Sequence, residues 1–161
     1  MSQTHRLSMP LAALAALLVA SAASASLTAS YAGTSCVQEL TTSPSIVYQN
    51  SRASANSPSV TYFACPSAQQ GGEVVSAKAS GRDLNPNESV VCHIEAMDEF
   101  DGAGSFGASV SSGAEFVGGF TLNLPPPASV FASGSKVIHC TMPPSGGPDG
   151  SSIGSYTITE L

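Results

Sequence analysis

The pattern of apolar and polar positions changes character once along the chain. Leu11 to Ala20 is an unbroken apolar run, preceded by His5 and Arg6 and followed by small residues that end in Ala23-Ser24-Ala25. A basic start, an apolar centre and an A-x-A exit predict a secretory signal peptide over residues 1–25. The run is about half of the ~20 residues that a bilayer span requires, so it reads as a cleaved leader and not an anchor. No cysteine suited to lipid attachment follows it, the first being Cys36. The expectation is a soluble exported chain from about Ser26 onward, extracellular or periplasmic.

Beyond that point helical periodicity is nearly absent. Short runs rich in Val, Ile, Tyr, Phe and Thr alternate with Ser, Gly, Asn and Pro, the pattern of short strands in a sandwich or barrel. Strands are predicted at Ser45–Gln49, Val60–Cys65, Glu73–Ala79, Ser89–Ala96, Ser105–Ser109, Glu115–Leu124, Lys136–Met142 and Ser155–Glu160. Breaks are predicted at Ala53–Pro58, Gln70–Gly72, Asn85–Asn87, Gly102–Gly104, Pro125–Pro127 and Pro143–Gly150. Residues 26–34 are small and polar and read as a flexible leader. Residues 35–161 read as one domain with no internal repeat.

Two strands carry most of the architectural signal. Val90, Cys92, Ile94 and Ala96 alternate onto one face, leaving Val91, His93 and Glu95 on the other. Ile138, Cys140 and Met142 do the same against Val137, His139 and Thr141. In the last strand Tyr156 and Ile158 point inward, Thr157 and Thr159 outward. The fold class that follows is all-β: a two-sheet antiparallel β-sandwich, with a jelly roll as one form of it.

The four cysteines are Cys36, Cys65, Cys92 and Cys140. An even count in an exported chain predicts two disulfides, and three pairings are open. The pairing expected is Cys36–Cys65 with Cys92–Cys140. Each bridge would be worth roughly 3–4 kcal/mol in the loop-entropy picture.

The cysteine contexts are Gly33-Thr34-Ser35-Cys36, Ala64-Cys65-Pro66, Val91-Cys92-His93-Ile94 and His139-Cys140-Thr141-Met142-Pro143-Pro144, followed by a terminal Ile153-Gly154-Ser155-Tyr156-Thr157-Ile158-Thr159-Glu160. This layout resembles a group of small exported four-cysteine bacterial proteins over nearly the whole mature chain. The resemblance implies a β-sandwich with two disulfides and brings no activity with it. The chain departs from the group in having fewer aromatic residues, which weighs against an aromatic binding platform.

Charge narrows the partners. Without Arg6 the basic residues are Arg52, Lys78, Arg82 and Lys136, against 11 Asp and Glu. Phosphate neutralisation needs grouped Lys and Arg, so nucleic acid is excluded as a partner, and anionic membrane surfaces with it.

Three groups of residues could carry chemistry. His93, Glu95 and His139 form a candidate metal site for zinc or copper if their strands are neighbours in one sheet. If the Cys92–Cys140 bridge crossed between sheets, the two imidazoles would diverge. Asp98, Glu99 and Asp101 beside Gly102 form a candidate calcium loop, although the spacing departs from D-x-[DN]-x-[DN]-G and a solvated hairpin tip explains it. Tyr48, Tyr62, Phe100 and Phe106 are candidate contact residues for a ligand. Other matches lack their structural context. Gly102–Gly107 reads G-x-G-x-x-G with no helix after it, and Gly150–Gly154 reads G-x-S-x-G with no histidine downstream. Ser133–Lys136 reads S-x-x-K at the start of a strand.

The function expected is a non-enzymatic exported module that binds a protein, glycan or matrix ligand at the cell surface or outside the cell. No cofactor is implied. The alternatives are a small metal-binding protein or metal-dependent hydrolase built on His93, Glu95 and His139, and a structural coat or matrix subunit that recruits a partner through an edge strand.

Overall fold

The computed structural model describes residues 26–161 apart from 40–45, 69–71, 99, 101, 114, 116, 130, 132–133 and 146–149. The predicted signal peptide lies outside the described residues. The strands in chain order are β1 (Leu27–Ala32), β2 (Val37–Gln38), β3 (Ile46–Gln49), β4 (Arg52–Ala55), β5 (Thr61–Pro66), β6 (Val74–Asp83), β7 (Val91–Met97), β8 (Gly104–Phe106), β9 (Val110–Ser111), β10 (Gly118–Leu124), β11 (Ser135–Met142) and β12 (Ser152–Glu160). One turn of 3-10 helix, Gly33–Ser35, separates β1 from β2.

Two antiparallel sheets face each other. Sheet A runs β10-β6-β12-β4-β3, with β1 also paired to β12. Sheet B runs β2-β5-β11-β7-β8, with β9 also paired to β7. Strands β4-β12-β6-β10 lie over β5-β11-β7-β8, which is the jelly-roll order. In this arrangement most consecutive strands sit in opposite sheets, so the core fills by strict alternation. Phe63, Ile94, Ile138 and Met142 meet Leu122, Ile153, Tyr156 and Ile158 in one buried cluster. Ala53, Ala55, Ala77 and Ala79 keep the inner face of sheet A low.

Both bridges form within sheet B. Cys36 joins Cys65, and Cys92 joins Cys140. Cys92 and Cys140 are direct partners on the neighbouring strands β7 and β11, so this bridge staples two strands side by side on the core face and does not cross the sandwich.

Three expectations need correction. Residues 26–34 are not a loose leader: Leu27–Ala32 add to sheet A, in register from Leu27 opposite Glu160 to Ala32 opposite Ser155. Tyr31 fastens this strand by stacking on Tyr156 at 4.9 Å, while its hydroxyl accepts a bond from the Ala68 amide. The segment Ala53–Pro58 is not all break, because Arg52–Ala55 is β4. Asn50 and Ser51, at φ 49° and 65°, make the two-residue turn that returns the chain from β3 to β4. Two left-handed residues mark a type I′ turn, usually signalled by Asn-Gly, and serine in the second place hid it. The strand expected from Glu115 starts only at Gly118, since Glu115 itself is left-handed at φ 62°.

Candidate functional site

The outer face of sheet B gathers the histidines. His93 and His139 are cross-strand partners on β7 and β11, with ring centroids 5.3 Å apart and nearly parallel. Alternation had placed them on this face, and the shared sheet brings them together. Two carboxylates hold His139 from either side: Glu39 Oε1 lies 2.8 Å from Nδ1, and Glu95 Oε2 lies 2.8 Å from Nε2. The second contact is short but poorly directed, so it acts as an ion pair more than as a hydrogen bond. Glu39 follows β2 and reaches across β5, where the residue opposite His139 is the small Ala64. Sequence reasoning missed Glu39 because the contact depends on strand order. Burial, and then the charge of His139, pull the His93 imidazole below its ordinary pKa, against the opposing pull of Glu95 and Glu39. Phe106 sits against His93 at 5.9 Å.

This cluster is a poor metal centre. Both ring nitrogens of His139 already face carboxylates, and among the described residues no group of three or more His, Cys, Asp or Glu side chains is disposed to hold a metal ion. It is an equally poor catalytic triad, since His139 has no open nitrogen with which to act as a base. Held between the two carboxylates, His139 ties the end of β2 to β7.

The acidic loop is the tip of the β7–β8 hairpin, closed by Met97 opposite Gly104. Glu99 and Asp101 lie outside the described residues. Asp98 Oδ1 accepts the Phe100 amide at 2.7 Å, and the Asp98 amide donates to Ala103 at 2.8 Å. The one described carboxylate therefore shapes the turn. The aromatic candidates are exposed but dispersed. Tyr62 and Phe106 share the outer face of sheet B yet stand three strands and four residues apart, about 19 Å. Tyr48 is on sheet A and donates to the Cys36 carbonyl.

The concave features lie elsewhere, along one end and the outer face of sheet A. A recess of about 220 Å³ is lined by Asn85, Asn87, Pro144 and Ser145, with Leu84 and Gly150 on its rim. A second, of about 300 Å³, is lined by Gln49, Asn50, Arg52, Ser54, Arg82 and Ser152, and it shares Leu84 and Gly150 with the first. The two form one groove. Gly150 is required at the junction, because a Cβ there would stand 1.4 Å from the Ala55 carbonyl oxygen.

Asp83 sets the walls of this groove. It is fully buried at the end of β6. Oδ1 accepts the Asn85 amide at 3.1 Å and the Ser151 hydroxyl at 3.0 Å. Oδ2 accepts the Val90 amide at 3.0 Å and the Ser112 hydroxyl. Asn85 continues the pattern: Oδ1 accepts the Asn87 and Glu88 amides, and Nδ2 donates to the Pro144 carbonyl. The run Asp83-Leu84-Asn85-Pro86-Asn87 has the alternate-oxygen spacing of a calcium loop, but N–H and O–H donors occupy the oxygens of Asp83 and Asn85. These are nested Asx turns that stiffen a loop. The sequence signal was present in that spacing, and it reports rigidity in place of a ligand.

Neither a comparison with protein-family models nor one with curated proteins finds a match. Among solved structures the chain is similar to the GH26-CBM35 β-(1,4)-mannanase of Podospora anserina, at 10% identity and a TM-score of 0.48, over 83% of this chain and 28% of that one. It thus spans little more than a quarter of the mannanase. It is also similar to CBM35 from Paenibacillus barcinonensis, at 12% identity and a TM-score of 0.38, over 84% of this chain and 99% of that one. Likeness of this degree carries no argument about ligand or activity.

Proposed function

We propose that this is an exported, non-catalytic binding module whose groove on sheet A takes a hydroxyl-rich ligand, a glycan. The observation that supports this is the groove's composition. Its walls are mostly amide, guanidinium and hydroxyl side chains on short turns and strands, and a buried carboxylate network fixes one side of it. Such groups supply many hydrogen bonds in a pre-formed cleft. No aromatic residue lines either recess, so recognition rests on hydrogen bonds in place of ring stacking. Two disulfides suit an oxidising compartment. Among the described residues no helix is long and apolar enough to cross a membrane.

The test is affinity electrophoresis of the oxidised protein through gels containing soluble polysaccharides, paired with a reducing-sugar assay. The expected result is retardation by at least one polysaccharide, weakened by Asn85→Ala or Asn87→Ala, with no release of reducing ends. Migration unchanged in every gel would refute the glycan reading. Release of reducing ends would refute the non-catalytic one.

A further inference from the structure

The second recess has an electrostatic character that its surroundings do not share. The chain carries a formal net charge of −6, with only five Lys and Arg. Two of them, Arg52 and Arg82, line this recess together. Among the described residues no carboxylate pairs with either guanidinium. No acidic residue lines the wall of this recess.

Backbone register explains how they converge. Ser152 on β12 lies opposite Arg82 on β6 and opposite Ser54 on β4. Arg52 lies two residues before Ser54, so the arginines stand on either side of β12, two strands and two residues apart. That is about 10 Å across and about 7 Å along, within reach of two long side chains leaning over a common floor. The floor is low. At these positions β12 carries Ser152 and Gly154, and its register slips between Ile153 and Ser155. A Cβ at Gly154 would lie 3.9 Å from Arg52 Cγ, so the arginine stem rests over the glycine. The β3–β4 turn then places Gln49 and Asn50 at the rim.

The geometry points to an oxyanion site: the Arg52–Arg82 recess holds the carboxylate or sulfate group of an acidic polysaccharide, with Ser54, Gln49 and Asn50 positioned for neighbouring hydroxyls. This rests on the glycan reading above and narrows it. Guanidinium is the side chain best matched to such groups, because its fork of N–H donors meets two oxygens at once. A polysaccharide fits the groove better than an acidic protein does, since the recess offers amides and hydroxyls and lacks the aromatic anchors that dominate protein interfaces.

The experiment is isothermal titration of the oxidised full chain with polygalacturonate, dextran sulfate, neutral mannan and poly-glutamate. Polygalacturonate or dextran sulfate is expected to bind, and which one does separates carboxylate from sulfate. Arg52→Ala and Arg82→Ala are each expected to weaken binding at least tenfold, with Arg82→Lys in between. Lys78→Ala removes the same charge from the outer face of sheet A outside the recess and is expected to change binding less than twofold. Circular dichroism is expected to leave the fold of each variant unchanged, since both arginines are exposed. Binding to mannan alone, insensitive to either arginine, would overturn the oxyanion site and leave the glycan module standing. Equal binding to poly-glutamate, or an equal loss in Lys78→Ala, would reduce the recess to diffuse charge. No binding to any polymer would overturn both readings.

Discussion

Lys136 and Glu160 form an ion pair inside the sandwich, and its removal gives a sharp energetic test of the fold. Lys136 is on the core face of β11 at 1% exposure, and Glu160 ends β12 at 2%. They belong to opposite sheets, and Nζ lies 3.7 Å from Glu160 Oε2. Neither Nζ nor Glu160 Oε1 has a hydrogen-bond partner. At an effective dielectric constant of ~20 two unit charges at this distance attract by about 4 kcal/mol. Withdrawing each ion from water costs several kcal/mol, and only further hydrogen bonds repay that, which this pair lacks. The pair is therefore near neutral or a net cost, although each member depends on the other. Lys136→Met strands a buried carboxylate and is expected to destabilise by about 3–5 kcal/mol. Lys136→Met with Glu160→Leu is expected to recover to within about 1 kcal/mol of the parent or to exceed it. Urea unfolding of the oxidised protein at neutral pH, read as a double-mutant cycle, measures both. A double variant as unstable as the single would refute the reasoning, because it would mean that the pair itself, and not the stranded charge, holds the sheets together.

Three further outcomes follow from the same structure. The lowered pKa of His93 means that the unfolded chain binds its proton more readily than the folded one. This contribution to stability is intact above the unfolded value of about 6.5 and is lost as pH falls through the lower folded pKa. A urea series across that window should show the decline, and His93→Phe should shallow it. An unchanged slope would show that the decline comes from elsewhere. Cys92→Ala with Cys140→Ala should cost about 4 kcal/mol and Cys36→Ala with Cys65→Ala slightly less, following loop separations of 48 and 29 residues. Equal melting temperatures in reduced and oxidised protein would contradict this. Asp83→Ala removes the fully buried carboxylate that accepts from the Asn85 and Val90 amides and the Ser151 hydroxyl, and should destabilise by on the order of 3 kcal/mol. Amide exchange should quicken first at Asn85 and Val90, and global exchange with those two still protected would argue against a local role.

Much of this molecule was legible from alternation alone. The two-residue period around Cys92 and Cys140 placed both cysteines in the core and both histidines outside, because a pleated strand fixes the facing of every residue once one is fixed. Turn chemistry and apolar runs gave most of the long strands. What escaped depended on partners distant in sequence. Leu27–Ala32 is too small and polar to declare itself a strand, and it becomes one because β12 offers an unpaired edge and Tyr156 a ring to stack on. Glu39 meets His139 only because β2 lies two strands from β11, with β5 between them. The inward side of Lys136 was implied by the period, but its charge argued for the surface until Glu160 arrived from the other sheet. The groove was the least legible feature, since Arg52 and Arg82 are thirty residues apart and meet across a strand near the C-terminus. Local pattern decides which way a side chain faces, and only the order and register of strands decides what it faces.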